Sequence, residues 1–254
     1  MSRLAIKGFS LPWLQGSAVH LDIGRTRLMV QHGQSLNRHK LPSPIKSGTP
    51  GTDALAELGA VLEALCAALP EGKKTLEITV SDALARCWIL ERLPGLASPR
   101  EIEGLAYDRM QQLYGDNPAE AAQWAVRVDA TPFASHWPAI ALPKSLLDLL
   151  LEKFGAHGCR IGKIQTRFVR SFNAQSGNSI HPPKHAVYSL ETADGLTIGI
   201  RNAREWQALR THPPLRLLGT NLAAMLRRDC RAVDLRIEDC HLQALRWPVK
   251  GQGL

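Results

Sequence analysis

Residues 18–31, AVHLDIGRTRLMVQ, are the stretch that says most about the fold. Apolar residues alternate over 18–23, Gly24-Arg25 can turn the chain, and 26–31 continue as a second strand. Residues 186–200, AVYSLETADGLTIGI, have the same layout around an Asp-Gly dipeptide, which is a strong tight-turn signal. Each half of the chain is therefore predicted to begin with a β-hairpin.

The rest of the chain alternates between helical and strand-like patterns. Apolar residues at helical spacing predict a helix that Thr52 or Asp53 caps and Pro70 stops. The other helices are predicted at 98–115, 144–156 and 218–226, and the other strands at 76–80, 86–92, 124–128, 137–142, 161–168, 206–209 and 233–237. This mixture indicates an α/β architecture.

The best-marked helix start is Ser98-Pro99-Arg100-Glu101. Ser98 is the expected N-cap and Pro99 the first helical residue, while the Glu101 carboxylate can reach back to the Ser98 amide. The inner face of this helix is predicted to hold Ile102, Leu105, Arg109 and Leu113.

Length and composition exclude several classes of protein. The 254 residues, 44% hydrophobic and 21% charged, suit a globular chain of one to two domains. The longest apolar runs fall short of the roughly 18 residues that a membrane helix needs, and residues 1–17 lack the continuous apolar core of a secretory signal. Five cysteines without a CxxC pair argue against structural zinc and fit a reducing compartment, hence the cytoplasm.

The net charge of +8 is distributed unevenly. Counted as Lys and Arg minus Asp and Glu, it is +6 in residues 1–50, −6 in 51–150, +3 in 151–200 and +5 in 201–254. Because the arginines are dispersed through patterned segments, a solvated basic surface is the default interpretation. The alternative is attraction to an anionic membrane face or an acidic partner.

The two hairpins resemble the phosphate loops of the actin-like ATPase superfamily. In the first, Asp22 ends a strand, Gly24 turns the chain and Thr26 supplies a hydroxyl. Gly195 and Thr197 stand where the superfamily has its second phosphate loop. The resemblance implies that these five residues are the cofactor-binding positions.

The order of elements between the hairpins resembles the actin-like assembly proteins of bacterial type IV pili and type II secretion (the PilM and GspL cytoplasmic group). The resemblance implies an actin-like (ribonuclease H-like) fold in two lobes. Residues 1–172 would form the first lobe with an inserted helix–strand–strand–helix subdomain at about 83–157, and residues 173–183 a linker. Residues 184–254 would form a truncated second lobe.

Both loops depart from the pattern of an active ATPase. Arg25 and Arg27 flank Thr26, and Ala193-Asp194 occupies what should be a glycine-rich turn, where a carboxylate repels phosphate. A chain of this family with such loops is expected to be a non-hydrolysing scaffold, without catalytic residues, bound cofactor or metal. Gly219-Thr220 is a poor substitute for the adenosine loop of that superfamily.

The family implies partners and a location. The expected partners are a short cytoplasmic peptide of a membrane-anchored assembly protein and the assembly ATPase complex, at the cytoplasmic face of the inner membrane. Two other classes stay open. One is an active actin-like ATPase or small-molecule kinase that uses ATP with magnesium, and the other is a nucleic-acid-binding protein that uses the basic ends, with steep salt dependence.

Overall fold

The chain forms two compact units, one with a single β-sheet and the other with two. The computed structural model describes residues 19–32, 35–46, 50–69, 74–95, 98–132, 134–175, 183–219 and 221–247. The N-terminal unit holds 19–85 and 142–167, and the C-terminal unit holds 86–141 and 168–247. The predicted lobe boundaries stay predictions, because residues 176–182 of the proposed linker, like the start at 1–17, lie outside the described residues.

The described residues alternate between strands and helices along the whole chain. The strands are β1 (Val19–Ile23), β2 (Arg27–His32), β3 (Ser35–Lys40), β4 (Thr75–Val80), β5 (Arg86–Glu91), β6 (Trp124–Val128), β7 (His136–Pro143), β8 (Arg160–Thr166), β9 (His185–Thr192), β10 (Gly195–Asn202), β11 (Glu205–His212) and β12 (His241–Ala244). The α-helices are α1 (Thr52–Ala68), α2 (Pro99–Tyr114), α3 (Pro118–Ala121), α4 (Lys144–Ala156), α5 (Arg167–Gln175), α6 (Leu215–Leu218) and α7 (Leu222–Arg231). No helix among them is long and apolar enough to cross a lipid bilayer.

The N-terminal unit is a five-stranded sheet in the order β3-β2-β1-β4-β8. The predicted hairpin forms β1 and β2, which pair antiparallel with Leu21 opposite Val30. β4 lies parallel to β1 with Leu76 opposite Val19, and β8 lies parallel to β4. Because side chains alternate across a strand, the apolar residues of β1, β2 and β4 share one buried face of the sheet.

Helices α1 and α4 belong to the apolar core of this unit. Leu58 and Leu62 of α1 and Leu150 and Phe154 of α4 have no exposed surface. The two helices approach closely at Gly59, where an added Cβ would lie 3.3 Å from Cδ1 of Leu149. A larger residue at this position would require the Leu149 side chain to shift.

The C-terminal unit contains two sheets, in the orders β5-β7-β6 and β11-β10-β9-β12. Ala106 and Met110 of α2 bury themselves in a core with Trp88 and Trp124 of the three-stranded sheet. The predicted second hairpin is present as β9 and β10, paired antiparallel around Asp194-Gly195.

The predicted inner face of α2 is partly wrong. Ile102 and Leu105 are half-buried as expected, but Arg109 and Leu113 are exposed to solvent.

An aromatic cluster closes the core beside the four-stranded sheet. The ring of Phe172 lies 4.9 Å, between centroids, from both Tyr188 and Trp206, in edge-to-face geometry. Gly199 lies beneath the cluster, and an added Cβ there would come within 2.6 Å of Trp206 and would also meet Phe168. Glycine is required at 199 for close packing rather than for a turn.

Two helix starts differ from the sequence prediction. The N-cap of α1 is Gly51, which makes no side-chain cap bond, so neither Thr52 nor Asp53 caps this helix. The predicted helix over 218–226 is two helices, because Gly219 takes a left-handed conformation (φ 60°) that ends α6. Asn221 then caps α7 by accepting a hydrogen bond from the Ala224 amide at 2.8 Å.

Three strand predictions were incomplete or wrong. The strand predicted to reach residue 168 ends at Thr166, because Phe168 and Phe172 are spaced for a helix that buries both rings. The strand predicted at 233–237 is a turn followed by a short 3₁₀ segment, and β12 forms later in the chain. β3 was missed because its side chains are mostly exposed and show no apolar alternation.

The capping box of α2 provides a test of this local structure. Ser98 Oγ accepts from the Glu101 amide at 3.2 Å, and the Ser98 amide donates to Glu101 Oε2 at 3.0 Å. We expect Ser98→Ala to lower the free energy of unfolding by about 1 kcal/mol, because it orphans a helix-end amide. Thr52→Ala is the matched control and should change it by less than about 0.5 kcal/mol. Urea denaturation measures both, and equal losses would contradict the assigned caps.

Candidate functional site

Polar residues gather where the three parallel strands of the N-terminal unit end. Asp22 of β1 is in register with Thr79 of β4, and Thr79 is in register with Gln165 of β8. All three are buried on the face of the sheet opposite the apolar core. Carboxyl ends of neighbouring parallel strands form the usual ligand edge of an α/β sheet, so this cluster is the candidate site.

A bidentate ion pair occupies the centre of the cluster. Arg167, the first residue of α5, donates from Nε to Asp22 Oδ1 and from Nη2 to Asp22 Oδ2, both at 2.8 Å. The two side chains are only 2% and 7% exposed. The planar guanidinium fork matches the carboxylate, and both oxygens of Asp22 accept hydrogen bonds from the same partner.

This geometry bears on the magnesium nucleotide that the superfamily implies. A divalent cation prefers carboxylate oxygens, and a guanidinium on both oxygens of Asp22 puts a fixed positive charge in that place. The residues present therefore do not fit a magnesium ion held through Asp22. Among the described residues, no three His, Cys, Asp or Glu side chains are grouped so that they could hold a metal ion.

Two other polar atoms lie in residues at the same edge. Ser81 follows β4, and its hydroxyl oxygen is buried without a hydrogen-bond partner among the described residues. The amide oxygen of Gln165 is in the same condition. These are the atoms that a water molecule or small ligand at this edge would satisfy.

The first predicted phosphate loop is tied to the segment that follows β3. The Gly24 amide donates to the Arg27 carbonyl at 2.8 Å, which closes the hairpin turn. The carbonyls of Arg25 and Thr26 accept from the amides of Ile45 and Leu41 at 2.7 and 2.9 Å. Arg25 also donates from Nε to the Ile45 carbonyl at 3.0 Å, so the predicted loop is braced by its own chain.

The second predicted loop packs against β11. An added Cβ at Gly195 would lie 2.6 Å from the His212 carbonyl oxygen, so strand packing alone requires glycine there. The hydroxyl of Thr197 lies 3.2 Å from that of Thr211, and Thr197 is buried. Asp22, Gly24 and Thr26 belong to the N-terminal unit, and Gly195 and Thr197 to the C-terminal unit. Their assignment as nucleotide-binding residues stays a prediction.

Arg167 is the residue of the candidate site that sequence reasoning missed. The prediction placed it inside a strand that ran to residue 168. A carboxylate on a buried strand needs a compensating charge, and this was the available signal. The chain offers 31 lysines and arginines, and nothing local to Asp22 singles out one that lies 145 positions away.

A second buried carboxylate, Asp229 of α7, also escaped prediction. It has no exposed surface, and its Oδ2 lies 2.9 Å from His212 Nε2. Its Oδ1 lies 3.1 Å from Arg210 Nη1 and 3.3 Å from Arg228 Nη2. Burial raises the pKa of Asp229, but the His212 hydrogen bond and the positive charges of the neighbouring side chains outweigh it, so the pKa is lowered overall.

The Asp22–Arg167 pair predicts a strong single-variant effect. Arg167→Met removes the guanidinium that spans both oxygens of a buried carboxylate and should lower the free energy of unfolding by about 3–5 kcal/mol. The double variant Asp22→Leu with Arg167→Met should recover most of the loss, because apolar side chains replace both charges. Arg27→Met, at an exposed position, is the control and should change it by less than about 0.5 kcal/mol. A double variant as unstable as the single one in urea would contradict the pairing.

The lowered pKa of Asp229 predicts a pH dependence. A carboxyl whose pKa falls on folding stabilises the folded chain above its unfolded value, near 3.8, and loses that contribution as pH falls through the folded value. The stability advantage of the unmodified chain over Asp229→Asn should therefore be largest near neutral pH and shrink in acid. Urea titrations at several pH values measure it, and a difference that grew toward acid would refute the assignment.

No protein-family model matches the chain. No curated protein sequence matches it.

Solved structures do match. A Bacteroides thetaiotaomicron protein of unknown function with an actin-like ATPase fold superposes with a TM-score of 0.53 at 11% identity, over 90% of this chain and 81% of its own. A chain of the PilM–PilN type IV pilus biogenesis complex matches with a TM-score of 0.51 at 14% identity, over 86% and 71%. The cytoplasmic domain of EpsL, an inner-membrane component of the type II secretion system of Vibrio cholerae, matches with a TM-score of 0.41 at 11% identity, over 76% and 71%.

At these identities the likeness is one of fold, and the two superpositions above a TM-score of 0.5 carry it. The mixed α/β structure predicted from the alternation of helices and strands, and the actin-like fold that the resemblance implied, are confirmed. The chain has the actin-like ATPase fold.

Proposed function

We propose that this chain is a non-hydrolysing actin-like scaffold that docks membrane-anchored partners during assembly of a type IV pilus or a type II secretion machine. The observation that carries the first part is the Asp22–Arg167 ion pair. Asp22 is the acidic residue of the first predicted phosphate loop, and a guanidinium spans both of its oxygens. Because its own arginine neutralises this carboxylate, the chain uses Asp22 to stabilise the fold rather than to bind a cation.

The bracing of the first loop supports the same proposal. The carbonyls of Arg25 and Thr26 are bonded to the segment 41–45, and the Arg25 side chain turns to the same segment. A loop held in this way is rigid, whereas a nucleotide-dependent switch relies on a segment that changes order with the phosphate. Rigidity suits a surface that presents a fixed shape to partners.

The likeness to a chain of the PilM–PilN complex supports the second part. That complex belongs to type IV pilus biogenesis. The fold of this chain matches 71% of the length of one chain of the complex. By the proposal, this chain binds the cytoplasmic segment of an inner-membrane protein and works in the cytoplasm at the membrane face. An extended peptide can be held by main-chain hydrogen bonds and a few side-chain pockets.

A thermal-shift titration with ATP and magnesium, against magnesium alone, tests the non-hydrolysing role. A ligand that binds only the folded chain adds about 2.7 kcal/mol of stability at a hundredfold excess over its Kd. We expect no rise in melting temperature and no phosphate release. Release of phosphate by the unmodified chain, abolished in the double variant Asp22→Leu with Arg167→Met when its melting temperature shows that it is folded, would establish the ATPase alternative instead.

Peptide binding tests the docking role separately. Synthetic peptides that cover the cytoplasmic segments of the inner-membrane pilus and secretion proteins of the same organism are titrated by fluorescence anisotropy. At least one should bind saturably, and its composition-matched scrambled version should not. Failure of every peptide would remove the docking proposal while the ATP result stood by itself.

A further inference from the structure

A groove of about 720 Å³ runs between helices α1 and α4 of the N-terminal unit. Its α1 side runs from Leu55 to Glu63 and its α4 side from Ser145 to Lys153. Each side spans eight residue steps, which is about 12 Å or roughly two helical turns. The groove is distinct from the polar cluster of Asp22 and Arg167, which lies on the opposite face of the sheet.

Three of the five residues on the α1 side of the groove are small. Ala56 and Ala60 are exposed, and Gly59 between them touches Leu149 of α4. With no large side chain in the way, another helix could lay its own side chains close to the α1 backbone. Leu55 and Leu149, both half-buried, give the groove apolar contact surface.

The groove is acidic in a chain whose net charge is +8. Three of its lining residues are the carboxylates Glu63, Asp148 and Glu152, against a single Lys153. Lys153 Nζ is shared between Glu63 Oε2 at 3.5 Å and Glu152 Oε1 at 3.3 Å. No described side chain forms an ion pair with Asp148. Glu63 Oε1 also lies 2.8 Å from His157 Nε2. The ten lining residues carry a net formal charge of −2.

One polar group in the groove also lacks a partner. The hydroxyl oxygen of Ser145, at the start of α4, is buried and has no hydrogen bond among the described residues. A hydroxyl can donate and accept, so rotation of the Ser145 side chain toward an incoming lysine or main-chain group would satisfy it.

We propose that this groove docks a cationic amphipathic helix of a partner protein. The apolar face of that helix would lie against Ala56, Gly59 and Ala60, and its lysines and arginines would contact Asp148 and Glu152. A helix laid in a groove between two others is a recurrent mode of recognition. The inference rests on the proposed docking function and deepens it by naming a surface and the chemistry of what binds there.

Because the chain has a net charge of +8, nonspecific attraction of a cationic peptide is unfavourable, and binding of such a peptide indicates a local acidic site. The probe is a fluorescein-labelled peptide of about four helical turns, LKKLLKLLKKLLKL, whose leucines recur at helical spacing. The control probe has glutamate in place of each lysine. We expect saturable binding of the lysine peptide by fluorescence anisotropy, weakened by salt, and at least tenfold weaker binding of the glutamate peptide.

Variants of the chain locate the binding. Reversing two groove charges with Asp148→Lys and Glu152→Lys should weaken binding of the lysine peptide about tenfold, since attraction becomes repulsion. The matched control reverses two exposed carboxylates of the other unit, Asp108→Lys and Glu238→Lys, and should change the Kd less than about twofold. Ala60→Trp fills the groove without changing its charge and should also weaken binding about tenfold.

Equal effects of the two charge reversals, or equal binding of both peptides, would overturn the proposal. Melting temperatures of all variants, compared with the unmodified chain, show that each is folded. The outcomes separate this inference from the proposed function. If inner-membrane peptides bind but the lysine peptide does not, the groove is overturned and the scaffold stands. If the lysine peptide binds in the groove of a chain that hydrolyses ATP, the groove stands and the scaffold role falls.

Discussion

The buried ion pair between Asp22 and Arg167 joins the first strand of the N-terminal sheet to the residue that follows its last strand. Neither charge is tolerable alone in that position, because an unpaired buried ion costs several kcal/mol. The pair therefore requires the end of β8 to lie at the same edge of the sheet as the end of β1. It also sets the chemistry of the edge, because the carboxylate that begins the first predicted phosphate loop faces a fixed cation.

The two faces of the same sheet differ in chemistry: one is apolar and the other carries polar side chains. One face buries the leucines and isoleucines of β1 and β4 under α1 and α4, and this burial supplies most of the driving force for folding. The other face keeps Asp22, Thr79 and Gln165 in register. The outer surface of α1 and α4 then carries five carboxylates and two lysines, so the helical layer is acidic on a basic chain. Folding thus brings carboxylates from two distant parts of the sequence, α1 and α4, together on one acidic surface.

The sequence alone predicted correctly those features that depend on a few consecutive residues. The capping box of Ser98 and Glu101 needs only four consecutive residues, and it forms as predicted. The Asp194-Gly195 turn needs only two, and the hairpin it closes is present. The signals failed where a pattern suited two structures: residues 167–175 carry apolar side chains that fit a strand over a short window, and only the packing of Phe168 and Phe172 in the aromatic core favours a helix.

The amino-acid sequence by itself determined the two hairpins, the alternating α/β order and the positions of Asp22 and Gly195, because each depends on neighbours within a few residues. The actin-like fold was expected because that order resembles a known family. Only the tertiary structure decided that Asp22 pairs with Arg167, that Asp229 meets His212, and that Ala60 and Asp148 line one groove. These contacts join residues 17 to 145 positions apart, and their partners are selected by how the core closes rather than by any local spacing.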